Sequence, residues 1–170
     1  MPRPQTYRYI IEDMDQEDNE GTLYRYTVEF DSLKDKTKIC DDVSSFIVYG
    51  EDVVTRSNSY DDTIMGLYTG GKYYEVSDSA GYQFQYSRGT LYYLDDFSNK
   101  DGSGTLMKFR NGKSEKIDTD VFDIFVRSEN DVVYIKDYNT KRNYGDLYHK
   151  RGNSEPTRID TDVSNIIRIY

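Results

Sequence analysis

Two near-identical hexamers, KIDTDV at 116–121 and RIDTDV at 158–163, stand forty-two residues apart in a chain of 170. An interval of that size, if it is a period, restricts the fold to architectures that stack one supersecondary unit on the next. Other landmarks keep roughly the same interval. Gly-x-Leu-Tyr-like tetrads occur as GTLY (21–24), GTLM (104–107) and GDLY (145–148), with a shorter GLY at 66–68. Their leucines, Leu23, Leu67, Leu106 and Leu147, lie 44, 39 and 41 residues apart. Before each tetrad runs a short β-rich stretch: YRYII (7–11), DVVTR (52–56), TLYYL (90–94) and DVVYI (131–135). After each come a turn, a polar-alternating run, an acidic turn and an apolar strand. Those last strands are VSSFIVY (43–49), AGYQFQY (80–86), VFDIFVR (121–127) and VSNIIRI (163–169).

Every run is short, rich in Val, Ile, Tyr, Phe and Thr, and bounded by Gly, Asn, Asp or Ser, which is the pattern of strands and hairpins. No window keeps apolar residues at helical spacing with caps. The sequence therefore predicts an all-β fold of the β-propeller type, with four four-stranded units of about 41 residues. The units span 7–42, 43–79, 80–120 and 121–162, and 163–170 forms a closing strand. A β-sandwich of meanders is the alternative, but it requires no fixed period. Naming the strands of one unit A to D, the chain starts at a B strand (7–11) and ends at an A strand (163–169). Strand 163–169 is expected to pair with the unit containing 7–11, within one chain or across two, because closure hides two edges that invite aggregation. A monomer and a side-by-side homodimer both remain open, as does a larger ring.

The chain is long enough for one domain with a real core. Its 18 Tyr and 7 Phe argue against disorder. The formal net charge of −9 disfavours nucleic acid, whose backbone carries the same sign, and leaves basic proteins or basic ligands as partners. No apolar run reaches the ~18 residues of a membrane helix, and the first residues lack the apolar core of a signal peptide. Cys40 is the single cysteine, so no intrachain disulfide or multi-cysteine zinc site is expected, and no cofactor.

YYLDDFSNKDGSGTLMKFRNGKSEKIDTDV (92–121) and VVYIKDYNTKRNYGDLYHKRGNSEPTRIDTDV (132–163) resemble the propeller-like repeats of poorly characterised Gram-positive bacterial proteins. In that family an amino-terminal zinc ribbon and one membrane helix often precede the repeats. Neither is present here, and the resemblance supplies no catalytic residues. It implies an extracytoplasmic location.

In such a unit the A strands line a central channel, and the D-to-A and B-to-C connections share one face. The D-to-A turns carry Asp41, Asp42, Asp78, Asp118, Asp120, Asp160 and Asp162. The first B-to-C loop, EDMDQEDNEG (12–21), adds Asp13, Asp15, Glu17 and Asp18, and the other B-to-C loops add Asp61, Asp62, Asp96, Asp101 and Asp137. These define an acidic face suited to a basic partner, although Asp side chains also set turns by accepting local N–H groups. The loop beginning at Phe97 is no EF-hand: Phe97 stands at its first position and Lys108 at its twelfth. His149, the only histidine, occupies an ordinary strand position. Channel-facing candidates are Ser45, Tyr82, Asp123 and Asn165, with one carboxylate among them, whereas a glycosidase requires two. The expected function is a non-catalytic binding or scaffolding module. The alternative is a small-molecule or carbohydrate-handling enzyme that uses Asp123.

Overall fold

The computed structural model describes residues 5–57 and 63–167. Its fourteen strands are arranged in three antiparallel sheets, and no described residue is helical; no helix is long and apolar enough to cross a membrane. The chain divides into two compact units, Met1–Asp78 and Ser79–Tyr170.

The first unit holds two sheets. One joins β1 (Tyr7–Glu12), β2 (Gly21–Glu29) and β3 (Ser32–Val43) in that order. The other joins β4 (Ser45–Tyr49), β5 (Asp52–Arg56), β6 (Met65–Thr69) and β7 (Lys72–Ser77). The core of this unit gathers Leu23, Cys40, Val43, Val53 and Tyr68, with Tyr9, Ile11 and Phe46 packed against it.

The second unit is one seven-stranded meander. It runs from β8 (Phe84–Ser87) through β9 (Thr90–Ser98), β10 (Ser103–Arg110), β11 (Lys113–Ser128), β12 (Asp131–Asn139) and β13 (Tyr144–Arg151) to β14 (Thr157–Val163). Tyr92, Leu94, Leu106, Val121, Ile124, Val132 and Tyr134 form its core. Where only two residues join adjacent strands, a left-handed residue pair can supply the backbone twist the hairpin requires. Asn111–Gly112 (φ 52° and 76°) does this between β10 and β11. Between β2 and β3 the same job falls to Phe30–Asp31 (φ 47° and 62°), with no glycine and with Phe30 96% exposed.

One cross-strand pair recurs along the chain. Ile11 faces Leu23, Arg56 faces Met65, Leu94 faces Leu106 and Ile135 faces Leu147. The second member of each pair is therefore residue 23, 65, 106 or 147, at intervals of 42, 41 and 41. Leu67, matched to the leucines by its GLY context, instead faces Val54. Met65 and Leu67 are both fully buried on one face of β6, so a two-residue slip keeps the burial pattern and escapes a reading based on residue type.

Three further expectations are corrected. The A strand at 80–86 shortens to β8, and Tyr82 precedes it, 68% exposed. The acidic turn expected at 118–120 is no turn, because β11 runs unbroken from Lys113 to Ser128 and pairs first with β10 and then with β12. The closing strand expected over 163–169 is absent at 164–167, which belong to no strand, and 168–170 lie outside the described residues. The sheet order gives β1 one strand neighbour, β2.

Candidate binding clefts

The Asp-Thr-Asp-Val signature has a local structural meaning. Val43, Val121 and Val163 face Gly21, Gly104 and Gly145, and a register shift follows before the next leucine in each case. The residue before each valine, Asp42, Asp120 or Asp162, is left-handed, with φ of 56°, 56° and 57°. Short Asp side chains tolerate that conformation better than bulky ones, and the extra residue forms a bulge that turns the strand. On the other side of the glycine, Asp13 just past the end of β1, Asp96 in β9 and Asp137 in β12 are also left-handed, with φ of 54°, 48° and 53°. The glycine between them is required by space: a Cβ would stand 2.5 Å from the Glu12 carbonyl oxygen at Gly21, 2.7 Å from that of Asp95 at Gly104, and 2.6 Å from that of Lys136 at Gly145. Two aspartates thus flank each glycine, one from each side. Six of the expected D-to-A "turn" acids accordingly sit in strands: Asp41 and Asp42 in β3, Asp118 and Asp120 in β11, Asp160 and Asp162 in β14; Asp78 lies just past β7, outside any strand.

Their chemistry divides sharply. Asp118 is consumed internally. It accepts hydrogen bonds from the Tyr134 hydroxyl at 2.7 Å and the Lys136 ammonium at 2.7 Å, and from its neighbour's amide, Thr119 N–H, at 2.9 Å. Burial raises its pKa, but these three donors outweigh burial and hold the carboxyl below the usual range. Tyr134, buried and bonded to that carboxylate, is raised. Asp41 is likewise engaged, by Lys38 at 2.6 Å and the Thr22 hydroxyl at 2.8 Å. Asp160 accepts the Thr161 amide.

Asp120 is exposed and, among the described residues, has no ion-pair partner. It lines a cleft of about 230 Å³ with Asp101, Ser103, Asp137, Tyr138 and Thr140. Its three carboxylates come from β11, the β9–β10 connection and β12. Phe122 stacks on Tyr138 at 3.7 Å between centroids and 4° between planes, bracing one wall. Left-handed Gly102 sits beside the Phe122 ring, where a Cβ would approach to 3.1 Å. A cleft of about 210 Å³ in the first unit is lined by Cys40, Asp41, Asp42, Thr55, Ser57, Ile64, Tyr73 and Glu75. Burial pushes the Cys40 thiol up to about 11 and the Tyr73 hydroxyl up to about 12, so both stay protonated near neutral pH and neither is an activated nucleophile.

In the loop after β1, Asp15 accepts the Glu17 amide at 2.7 Å, closing a local turn. Asp13, Glu17 and Asp18 are exposed, with no side-chain partner among the described residues. Ser45 and Asn165 are exposed. Asp123 accepts the Ile124 amide at 2.8 Å. Asp61 and Asp62 lie outside the described residues. Sequence reading missed Tyr73 and Glu75, although their i, i+2 spacing in KYYEVS puts them on one face of a strand. Among the described residues, no three Asp, Glu, His or Cys side chains converge to hold a metal ion.

No family model and no curated protein matches the chain. A solved structure does: the β-propeller domain of the Trilobed protease from Pyrococcus furiosus, described as having an open velcro topology. The likeness covers 96% of this chain at 18% identity, with a TM-score of 0.53, and the chain spans 57% of that structure's length. The likeness is one of fold. The chain is an all-β protein with a β-propeller as structural neighbour.

Proposed function

We propose that the chain is a non-catalytic binding module, built of four propeller-type repeats of about 41 residues, that docks basic groups of a partner on its carboxylate-lined clefts. The observation that carries this reading is the cleft of Asp101, Asp120 and Asp137: three exposed acids from separate elements, in a cleft with no Lys or Arg among its lining residues. A Lys ammonium or Arg guanidinium is the simplest complement to such a wall. It needs several acceptor oxygens without the tight coordination a metal demands, and the Phe122–Tyr138 pair offers an aromatic surface nearby for an Arg plane. The near-equal 42-, 41- and 41-residue spacing of the cross-strand pairs supports the repeat. A charged docking face raises encounter rates in a salt-dependent manner.

Titration calorimetry with an oligo-arginine peptide tests this reading. The expected result is binding at low salt that weakens at least tenfold in Asp101→Asn/Asp120→Asn/Asp137→Asn. The Asp13→Asn/Asp15→Asn/Glu17→Gln/Asp18→Asn variant should show a smaller loss. Equal binding by parent and cleft variant removes the reading.

A further inference from the structure

We infer that the cleft of the first unit is a binding site for a primary alkylammonium, the group shared by lysine side chains and small aliphatic amines. This rests on the reading of the chain as a binder of basic groups, carried to a different cleft. What points to an ammonium is the equivalent junction of the second unit, which contains one of its own. The recurring pairs Arg56–Met65 and Ile135–Leu147 align the two junctions. One residue back, Thr55 faces Gly66 where Tyr134 faces Tyr148; one residue on, Ser57 takes the place of Lys136. Cys40 and Asp118 correspond because they face Leu23 and Leu106.

In the second unit the place is full. The Lys136 ammonium bonds Asp118 at 2.7 Å and lies 5.5 Å from the centre of the Tyr148 ring, which stacks on Tyr134 at 5.7 Å between centroids. In the first unit all four positions carry smaller side chains: Cys40, Thr55, Ser57 and Gly66. Tyr73 refills part of the gap. Its hydroxyl lies over Gly66, where a Cβ would collide with it, and meets the Thr55 hydroxyl at 3.3 Å. The rest is the cleft of about 210 Å³, below the ~300–1,000 Å³ of sites for drug-sized molecules, so its occupant is small. None of the lining residues is Lys or Arg. The floor of Cys40, Thr55 and Ser57 is buried, and Ser57 donates its proton to Glu20 at 2.6 Å, which leaves the Ser57 oxygen to accept. At the rim, Asp41 is matched by Lys38 at 2.6 Å. Asp42 and Glu75 are exposed and make no ion pair among the described residues. An ammonium, with three donors on a compact head, suits a buried acceptor oxygen beneath two carboxylates, whereas an anion would meet like charge.

The test is a titration of the full chain with n-pentylamine at low salt, followed by amide NMR shifts, with n-pentanol as the neutral control. Pentylamine should shift the amides of Cys40, Asp42, Thr55, Ser57 and Glu75 first, and pentanol should leave them in place. Asp42→Asn/Glu75→Gln, altered only at exposed rim positions, should bind about tenfold more weakly. Ser57→Lys, which supplies a tethered ammonium, should abolish the response; if it does not fold, the rim variant decides. N-acetyl-lysine methylamide separates the two sources: tighter binding than pentylamine assigns a partner's lysine, weaker binding a free amine, and both support the site. Unmoved cleft amides, an equal response to pentanol, or a rim variant that binds like the parent overturns the inference. Oligo-arginine binding is measured separately at Asp101, Asp120 and Asp137, so failure here leaves that cleft to its own experiment.

Discussion

Cys40 and Asp118 hold the same place in the two units. Each pairs across the sheet with a fully buried leucine, Leu23 or Leu106, and stands just before a left-handed aspartate and a glycine-facing valine. The next B strand is also equivalent. Ser45 faces Arg56 as Asp123 faces Ile135, so Thr55 and Ser57 correspond to Tyr134 and Lys136. In the second unit those two long side chains reach Asp118 and close a polar knot. In the first, a thiol sits opposite two short hydroxyl residues, and a cleft of about 210 Å³ remains. The backbone pattern is common to both; the side chains alone decide whether the junction is filled or open. Burial of an ionised group is tolerated only when its partners arrive with it.

The largest expected effect comes from moving the acid without its partners. Cys40→Asp places a carboxyl where burial already raises the resident thiol and where no lysine corresponds to Lys136. It should cost about 3 kcal/mol in urea unfolding. Adding Ser57→Lys should recover a large part of that loss. No recovery would mean that the two junctions are not equivalent.

A smaller effect is expected from Lys136→Ala, which strands Asp118 with its side chain 18% exposed. The expected loss is about 2 kcal/mol at pH 7. The pH dependence sharpens this. Asp118 is depressed in the folded state, so its contribution is fully present above the unfolded value of ~3.9 and disappears as pH falls through the lower folded value. Burial alone would lower Lys136, but the bond to Asp118 outweighs it and the net shift is upward. Its contribution is therefore present below ~10.4 and is lost as pH rises beyond the raised folded value. The parent should lose more stability than Lys136→Ala as pH drops from 5 to 2; parallel curves would show that the knot contributes nothing.

The smallest effect compares two hairpins in the same place. Asn111–Gly112 takes left-handed φ at little cost, whereas Phe30 pays a steric penalty and, at 96% exposed, packs on almost nothing in return. Phe30→Asn should stabilise the protein by about 1 kcal/mol, read as a small rise in Tm. A loss would mean that the Phe30 ring packs in solution.

The all-β class and the Asp-Val and Gly-Leu landmarks were legible in the sequence, because strand period, turn chemistry and glycine requirements are local. Residue type grouped Leu67 with Leu23, Leu106 and Leu147, but Met65 and Leu67 are both apolar and share a face, so only hydrogen-bond register separates them. The acids were legible as a set, but not which of them are free. Asp118 and Asp120 are two residues apart in one signature, yet one faces Lys136 and Tyr134 and the other lines an open cleft with Asp101 and Asp137. That outcome depends on what the neighbouring strands deliver across the bulge. Local sequence set the bulge, through an Asp that tolerates left-handed φ and a Gly that admits a carbonyl; strand pairing over longer distances set which charges are matched, since electrostatic energy depends on separation in space and not along the chain.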